Sequence, residues 1–458
     1  MKNSIIKVVV TFLVIVTITK TSLVAQWVNV GNVDFTNPDP SYICLKLDKN
    51  NTPYILYEQY ENLGKLVAMK LVNNNWTEVG TPGFSSEYPE FLSMTLDSNG
   101  MPYVAFADYN FGNNATVMGF NGKSWQTIGR PGFSSNVIGA TALTFDNYDT
   151  LYVAYTNLGN SAKVNVMKFN GAAWVPVGSP DFTPSGAGYV GYLSLNFDSK
   201  NNPYLAYCDA GASEKASMMK FNGSEWVFVG NRGFSDSISY YVYSALDKSD
   251  TPYVSFMDYK NDSKASVMMY NGSSWENVGP AGFSFGGVAF VPIHIGTDNT
   301  PYVAYADSQY NYKASVMKFN GISWEPVGNA GFSPGNAAFI SMELDSYNNP
   351  YVSLGDGQDS GKALVMKFDE TVTGITNYSA NLGNDLRIYP SPSSSVLNIN
   401  SVNLIKEITI YNAIGNIVFN YRYNFSSIQL NISDLQSGLY SISIKTEEDV
   451  VVKKIMKQ

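Results

Sequence analysis

The stretch Phe319-Asn320-Gly321-Ile322-Ser323-Trp324-Glu325-Pro326-Val327-Gly328 decides the fold, because close copies of it recur along most of the chain. Every tryptophan belongs to such a copy, and successive tryptophans are 49 residues apart except for one interval of 52. The tryptophans are Trp27, Trp76, Trp125, Trp174, Trp226, Trp275 and Trp324. A fixed period of this length predicts a stacked or circular repeat architecture.

The unit that begins at Trp76 shows how each repeat is built. Four short runs, residues 76–80, 91–96, 102–106 and 115–120, have the composition of β-strands. The last run ends at Asn121-Gly122, a strong hairpin signal because both residues tolerate positive φ. We therefore predict that the Trp strand pairs with the strand before it and forms the fourth, outermost strand of a four-stranded blade.

With the Trp strand placed fourth in each blade, the strand of Trp27 has no three strands before it with which to form a blade. At the other end of the repeats, residues 342–344, 351–354 and 364–368 make three strands with no Trp strand after them. We predict that the strand of Trp27 completes this last blade, giving an all-β, seven-bladed β-propeller over residues 26–370 that is closed by its N-terminal strand. Closure would remove the exposed edges of an open stack.

Several columns of the repeat are interpreted as structural. The Trp column, a Met column and a Phe column occur in every blade, so they are expected to pack between blades. Second strands that end in Asp are followed six residues later by Lys in four blades, which predicts cross-strand ion pairs. An Asp also precedes the next tight turn in six blades and is expected to bond its own backbone. Calcium binding there would need more oxygen ligands.

Composition excludes several classes of function. The net charge is −9 and the pI is about 4.8, and no nucleic-acid motif occurs, so nucleic acid is not an expected partner. The single histidine, His294, is expected to line the channel, because its column otherwise holds varied polar and small residues. Cys44 and Cys208 lie in distant repeats, which argues against a disulfide. No zinc, Cys-His or Ser-His-Asp set can be assembled, and no cofactor is expected.

The N-terminus reads as a secretory signal peptide. Lys2 and Lys7 precede a short apolar run over residues 8–18, and residues 23–25 offer a cleavage site before Gln26. The run is too short for a membrane-spanning helix, and no other stretch approaches about 20 apolar residues. We predict a signal peptide over residues 1–25, passage through the periplasm, and no transmembrane segment after cleavage.

The loops of the repeat divide between two faces. Loops that enter each first strand and loops from the second to the third strand vary and share one face, here called the variable face. Variable loops on a rigid scaffold are where binding usually occurs. This face carries an aromatic residue at the start of most innermost strands: Tyr42, Phe91, Tyr192, Tyr241, Phe290 and Phe339. These residues are either the hydrophobic mouth of a channel or stacking platforms for sugars.

Two neighbouring repeats break the symmetry, and a ligand site is predicted there. One has Ala140 in place of the aromatic residue and Asn157 where most repeats have Asp. The next has three extra residues within residues 184–189, which end at Tyr189. The predicted ligand-binding residues are Tyr189, Tyr192, Ala140, Asn157 and Tyr241. Neutral drift of a surface loop is the alternative, since insertions cost little.

The repeat stops after Phe368, and residues 371–384 form a polar linker. Alternating apolar runs at residues 386–392, 396–399, 408–412 and 439–440 are separated by Gly turns and predict a small β-sandwich over residues 385–458. This segment resembles the type A C-terminal sorting domain of the type IX secretion system of Bacteroidota; Ser391 stands where that family usually has Asn. The resemblance implies export across the outer membrane by the type IX machinery, with release or surface anchoring. The repeats resemble, more loosely, lectin-type bacterial propellers.

Together these features predict an exported cell-surface or secreted binding protein, with carbohydrate as the first ligand class. The alternatives are a protein-binding adhesin and a polysaccharide-acting glycosidase or lyase. A glycosidase needs only two carboxylates, so it stays open, although the acids of the sequence follow the repeat rather than departing from it. Whether the protein is an enzyme is therefore left open.

Overall fold

The computed structural model describes residues 26–33, 35–37, 40–188, 192–369, 386–389, 395–412, 417–446 and 450–457. The chain divides into two compact units, Met1–Gly374 and Ile375–Gln458. The predicted signal peptide and linker lie outside the described residues.

The first unit is built from short strands. In chain order they are Gln26–Asn29 (β1), Ser41–Leu47 (β2), Pro53–Gln59 (β3), Lys65–Val72 (β4), Asn75–Glu78 (β5), Glu90–Leu96 (β6), Pro102–Asp108 (β7), Asn114–Phe120 (β8), Trp125–Thr127 (β9), Ile138–Phe145 (β10), Leu151–Asn157 (β11), Lys163–Phe169 (β12), Trp174–Pro176 (β13), Leu193–Phe197 (β14), Pro203–Asp209 (β15), Lys215–Phe221 (β16), Trp226–Phe228 (β17), Ser239–Leu246 (β18), Pro252–Asp258 (β19), Lys264–Tyr270 (β20), Trp275–Asn277 (β21), Val288–Ala289 (β22), Ile293–Ile295 (β23), Pro301–Asp307 (β24), Lys313–Phe319 (β25), Trp324–Pro326 (β26), Ala337–Leu344 (β27), Pro350–Asp356 (β28) and Ala363–Asp369 (β29). Short 3-10 turns follow six second strands: Tyr60–Asn62, Tyr109–Phe111, Leu158–Asn160, Ala210–Ala212, Tyr259–Asn261 and Ser308–Tyr310.

Consecutive strands pair antiparallel, and the described part of this unit forms seven sheets. Sheets 1 to 5 are β2–β5, β6–β9, β10–β13, β14–β17 and β18–β21; sheet 6 is β22–β26, with its first strand in two pieces; and sheet 7 is β27–β29 together with β1. The predicted phase of the repeat is confirmed, because Trp125 lies opposite Phe120 across the Asn-Gly hairpin. In sheet 7, Trp27 likewise lies opposite Phe368.

Each tryptophan joins its sheet to the sheet before it. The indole N–H of Trp125 in sheet 2 donates to the carbonyl of Val79, 2.8 Å away, which follows the last strand of sheet 1. The same bond recurs at every tryptophan, from Trp27 to Val327, Trp76 to Val30, Trp174 to Ile128, Trp226 to Val177, Trp275 to Val229 and Trp324 to Val278. The indole is a donor only, so this bond satisfies its single polar group while the ring is buried.

The same indole lies on a Phe and a Gly of the preceding repeat. Trp125 stacks on Phe84 with ring centroids 3.9 Å apart and planes 7° apart. Gly80 has φ of +76°, and a Cβ there would lie 2.9 Å from Phe120 and 3.0 Å from Trp125. Only glycine therefore permits both the turn and the close ring contact. The Trp, Phe and Gly of the repeated stretch form one packing unit, as the structural interpretation of these columns predicted.

The two acidic columns differ in outcome. The Asp before the tight turn bonds its own backbone as predicted; in sheet 2, Asp97 accepts from the N–H groups of Asn99 and Met101. The predicted cross-strand ion pairs are wrong, although the register is right. Asp258 lies opposite Lys264, but its carboxylate accepts from Ser266 and other groups of its own hairpin. A hydroxyl on the neighbouring buried position reaches it more directly than the lysine at the sheet surface does.

The second unit contains five strands: Leu386–Tyr389 (β30), Val396–Tyr411 (β31), Ile417–Asn431 (β32), Gly438–Thr446 (β33) and Val450–Lys457 (β34). The long β31 pairs with β30, β32 and β33, and its register is interrupted between Asn400 and Ile405. Apolar side chains of these strands, Ile408 and Ile442 among them, form one core. The sequence interpretation missed β32, because most of its side chains are exposed. Layering as a sandwich stays a prediction.

We expect deletion of residues 26–31 to lower the melting temperature of the repeat unit far more than removal of residues 375–458. The deletion removes Trp27, which stacks on Phe332 at 3.7 Å, bonds Val327 and leaves β29 as an open edge. Differential scanning calorimetry of the two truncations measures the difference. Equal melting temperatures would contradict the role given to the N-terminal strand.

Candidate functional site

A central cavity of about 480 Å³ lies among the first strands of the seven sheets. Its volume is in the range of small-molecule sites, about 300–1,000 Å³. Serine, threonine and asparagine side chains line its wall, among them Ser93, Thr144 and Asn196. The described residues that line it include no Asp or Glu. The cavity therefore offers hydroxyl and amide groups beside apolar side chains such as Leu45 and Met94.

Five aromatic residues at the starts of the first strands line this cavity, and a sixth, Tyr241, contacts two of them. Together they are called the aromatic rim: Tyr42, Phe91, Tyr192, Tyr241, Phe290 and Phe339. Neighbouring rings touch; Tyr192 and Tyr241 have centroids 4.9 Å apart, and Tyr241 and Phe290 5.3 Å apart. The series continues from Phe290 to Phe339 at 6.1 Å and from Phe339 to Tyr42 at 5.8 Å. The rings thus form a chain of contacts along most of the rim rather than isolated platforms.

The backbone of the rim is strained. Tyr42, Phe91, Tyr241, Phe290 and Phe339 all have φ between 50° and 55°. The left-handed region costs an L-residue about 1–2 kcal/mol, and a bulky residue there is a genuine outlier. The register of sheets 1, 2, 5 and 7 shifts at these positions. Bulges re-aim side chains and are common beside functional sites. The left-handed residues therefore coincide with bulges beside the cavity in these four sheets.

One wall of the cavity carries charge. Lys46 of sheet 1 forms an ion pair with Glu343 of sheet 7 at 2.5 Å, and Nδ1 of His294 in sheet 6 lies 3.8 Å from the other carboxylate oxygen. His294 lines the cavity, as predicted. Burial lowers the pKa of His294. The negative charge of Glu343 acts in the opposite direction, and the positive charge of Lys46 lowers the pKa further. The imidazole is therefore neutral near pH 7, and the pair of Lys46 and Glu343 leaves the wall without net charge.

The structure brings only part of the predicted site together. Tyr192 and Tyr241 are in contact on the rim, whereas Tyr189 lies outside the described residues. Ala140 is 1% exposed and packs in the core between sheets 3 and 4, so it opens no space at the mouth. Asn157 is 4% exposed at the end of β11 and is not among the residues that line the cavity.

The replacement of Asp by Asn157 is compensated by a second change, the carboxylate of Asp181. Its side-chain amide donates to both carboxylate oxygens of Asp181 at 3.0 and 3.2 Å. Asn160 and Asn165 donate to the same carboxylate, and these bonds lower the pKa of Asp181 against burial. Asp181 stands in a sequence column that holds Gly in five of the other repeats, such as Gly132, and Asp34 in the first. In sheet 3 the carboxylate of this contact thus comes from Asp181 and the amide donor from Asn157. This exchange explains why Asn157 replaces Asp without invoking a ligand.

The insertion that follows is tied down rather than free in its described part. Ser185 donates to Asp209 at 2.6 Å and accepts from Nη2 of Arg232 at 2.7 Å. Arg232 in turn donates to both oxygens of Asp209, at 2.8 and 2.9 Å. Ala187 forms a β-bridge with Asp209. The described part of the insertion is therefore fixed to sheet 4 through Ser185 and Ala187.

Two glutamates that the sequence analysis overlooked lie beside the rim. Glu58 is the last residue but one of β3 and lies opposite Ser41, which precedes Tyr42; Glu90 directly precedes Phe91. Burial, together with the charge of Glu90, raises the pKa of Glu58 to about 7. Each is the only acidic residue in its repeat column; the other sheets have Ala107, Thr156, Cys208, Met257, Ala306 and Gly355 in place of Glu58. The sequence shows that both glutamates are unusual in their columns, but it does not show that they lie close to each other.

The other groups considered for chemistry are unreactive. Cys44 and Cys208 are free thiols. Burial raises the pKa of Cys44 to about 11 and that of Cys208 to about 12, so both stay protonated near neutral pH. In the part of the chain that the structure describes, no group of three or more His, Cys, Asp or Glu side chains is placed to hold a metal ion.

We expect Asn157→Asp to destabilise the repeat unit by roughly 1–3 kcal/mol, because it places a second carboxylate against Asp181 and removes a donor. The double variant Asn157→Asp with Asp181→Gly restores the Asp and Gly combination of sheets 2, 4, 5 and 6 and should recover most of the loss. Urea unfolding of the four proteins of this cycle measures the coupling. Additive effects of the two substitutions would show that they are not compensating changes.

Comparisons with known proteins agree with this architecture. Residues 387–458 match the secretion system C-terminal sorting domain. No curated protein matches the sequence. Among solved structures, the BP39L lectin from Burkholderia pseudomallei matches with a TM-score of 0.52 and 15% identity, over 72% of this chain and 96% of the lectin. The extracellular domain of BT4673 from B. thetaiotaomicron matches with a TM-score of 0.51 and 11% identity, over 95% of this chain and 59% of that one.

PorZ, a surface component of the type-IX secretion system of Porphyromonas gingivalis, matches with a TM-score of 0.47 and 14% identity over 93% of this chain, which spans 61% of the PorZ chain. At these identities the two matches with TM-scores above 0.5 show a shared β-propeller-like fold and nothing about ligands. No helix in the described residues is long and apolar enough to cross a membrane. The strands of the second unit and the match over residues 387–458 together identify this segment as a secretion system C-terminal sorting domain, and the chain that carries it is secreted to the cell surface or outside the cell.

Proposed function

We propose that the protein is an exported carbohydrate-binding protein whose first unit is a closed, seven-bladed β-propeller. Residues 26–370 would form the propeller, residues 371–384 the linker and residues 385–458 the sorting domain. Ring closure is supported by contacts between sheets 7 and 1: the N–H of Ser346 donates to Asn51 at 3.0 Å, and the N–H of Leu45 donates to Ser341 at 3.2 Å. A signal peptide over residues 1–25 would start export, and the type IX machinery would act on the sorting domain.

The observation that carries the proposal is the aromatic rim at the mouth of the central cavity. Sugar rings present C–H faces that stack on aromatic rings and hydroxyl groups that need hydrogen-bonding partners. The rim offers the first, and the Ser, Thr and Asn side chains of the wall offer the second. The five strained rim positions favour a functional reading, since a merely structural mouth could be built without left-handed bulky residues.

The charge of the cavity narrows the ligand class to neutral glycans. Lys46 is paired with Glu343, and burial keeps His294 neutral. The described lining therefore has no unpaired positive charge that could bind the carboxylate or sulfate group of an acidic glycan. The lectin identity of BP39L agrees with a sugar ligand, although that likeness supports only the fold. A glycan array with residues 26–374, covering neutral and acidic glycans, tests the proposal; no binding above background would refute it.

A second candidate function is glycoside hydrolysis, and Glu58 with Glu90 favours it. Such enzymes use two carboxyl groups, one of which acts as a general acid with a raised pKa. The pKa of Glu58 is raised to about 7 by burial and by the charge of Glu90. Glu58 lies opposite Ser41, the residue before Tyr42, and Glu90 directly precedes Phe91. A protein-binding adhesin is the third candidate; pull-down from surface or matrix material would distinguish it from a lectin.

For the lectin, Tyr192→Ala and Tyr241→Ala should each weaken binding of the selected glycan about threefold to tenfold, the loss expected for one aromatic contact of about 0.5–1.5 kcal/mol. Tyr148→Ala and Tyr347→Ala are matched controls, because these rings are 82% and 79% exposed in turns at the other end of the first strands. Titration calorimetry measures the affinities. Unchanged binding in both rim variants, or equal losses in the controls, would place the site elsewhere.

For the enzyme, Glu58→Gln should abolish turnover of any polysaccharide that the purified repeat unit cleaves, while Glu61→Gln in the neighbouring exposed turn should not. The same variant has a pH signature in stability. The pKa of Glu58 rises in the folded state from its ordinary 4.5 to about 7, so the ionised form destabilises the fold above that pH.

The stability difference should therefore depend on pH in one direction. Glu58→Gln should raise the melting temperature at about pH 8, and the gain should shrink as the pH falls toward about 4, where Glu58 is protonated in both states. Thermal unfolding at several pH values measures this effect. A gain that is independent of pH would show that Glu58 is not buried beside a second carboxylate.

A further inference from the structure

Asp307 at the end of β24 is a buried carboxylate with one oxygen that lacks a partner. Its residue is 0% exposed, and Oδ1 accepts from the N–H groups of Gly286 and Gln309 at 3.0 and 2.9 Å. Oδ2 has no hydrogen-bond partner, and neither has the hydroxyl of Tyr305, which is also fully buried. The two residues are two positions apart along the strand, with Ala306 between them, so both lie on the same side of sheet 6. An unpaired buried carboxylate oxygen is costly, because nothing in the fold replaces the hydrogen bonds that it makes with water.

The equivalent carboxylates of sheets 2 and 5 have both oxygens paired. Oδ2 of Asp108 accepts from Thr116 at 2.8 Å. Oδ2 of Asp258 accepts from Ser266 at 2.8 Å and from the amide of Asn261 at 2.7 Å. Sheet 6 has Ser315 at the position of Ser266, but Oδ2 of Asp307 is not bonded to it, so sheet 6 departs from sheets 2 and 5 in this contact.

Sheet 4 shows which group completes such a site. The guanidinium of Arg232 donates Nε–H to Oδ2 and Nη2–H to Oδ1 of Asp209. The hydroxyl of Tyr207, the counterpart of Tyr305, also donates to Oδ2, at 3.3 Å. Arg232 lies over the ring of Phe228, with its central carbon 5.9 Å from the ring centroid. A planar fork of donors matches both oxygens of a carboxylate, which a lysine does not.

The position of Arg232 is occupied in sheet 6 by Ala330, which is half-buried. Beside it, Tyr310 lies against Gly331 and packs edge-on against Phe285 at 5.8 Å. Both rings are partly exposed, 36% and 42%, on the variable face. Exposed side chains change rotamer rapidly, so Tyr310 can turn aside and present its face to a cation. The net charge of −9 also favours a cationic partner.

We propose that Asp307, Tyr305 and the flanking rings of Tyr310 and Phe285 form a docking site for an arginine side chain of a partner polypeptide. The incoming guanidinium takes the place that Arg232 fills in sheet 4. The site lies in the outer turns of sheet 6 and is separate from the aromatic rim, so a glycan at the central cavity and a protein at sheet 6 would be independent ligands.

The test uses the full chain and two short peptides, acetyl-Gly-Arg-Gly-amide and its citrulline analogue, at millimolar concentration. The arginine peptide should raise the melting temperature of the wild type, whereas the uncharged citrulline peptide should not. Ala330→Arg should by itself raise the melting temperature and weaken the arginine peptide at least tenfold in titration calorimetry. Ala281→Arg is the matched control in sheet 5, where Asp258 is already paired; it should do neither.

Other outcomes would overturn the proposal. Equal shifts from the arginine and citrulline peptides, or an arginine effect that persists in Ala330→Arg and in Asp307→Asn, would show that Asp307 does not receive the guanidinium. A lysine peptide that binds as well as the arginine peptide would contradict the forked geometry. If no peptide binds and Ala330→Arg lowers the melting temperature as Ala281→Arg does, the unpaired oxygen is a structural feature of the sheet only.

Discussion

The repeat unit depends on one interaction, the bond from each indole N–H to a carbonyl of the preceding repeat. The bond would be weak alone, but the same ring stacks on a Phe and rests against a Gly of that repeat, so one side chain satisfies its polar group and buries its surface at once. Because the contact always reaches backward by one repeat, the sheets are joined in sequence. Trp27 and Trp76 carry the same contact across the chain ends, to Val327 and Val30.

A scaffold held at its outer strands leaves the inner strands free to vary. The first strands carry register shifts, left-handed aromatic residues and a charged wall, none of which disturbs the tryptophan contacts. In sheet 6 the shift is large enough to divide the strand into two pieces. The first strands of sheets 1, 2, 5, 6 and 7 thus carry bulky residues in the left-handed region, and this is why the cavity mouth is the proposed ligand site.

Departures from the repeat are of two kinds. Asn157 is matched by Asp181, and the insertion is anchored by Ser185, so the structure absorbs these changes internally. Glu58 beside Glu90 and Asp307 beside Tyr305 are not matched in this way. A compensated departure needs no ligand to explain it, whereas an uncompensated charge or an unpaired oxygen does. The most conspicuous irregularities in the sequence were of the first kind.

The sequence by itself determined the period, the four strands of each repeat, the pairing of Trp27 with Phe368 and the turns closed by Asp, because each depends on patterns within one repeat or on their phase. Tertiary structure alone decided that Ala140 faces the core, that Asp258 prefers Ser266 to Lys264, and that Glu58 and Glu90 are neighbours. These facts depend on the direction of a side chain at a bulge and on contacts between adjacent sheets, and neither follows from spacing along the chain.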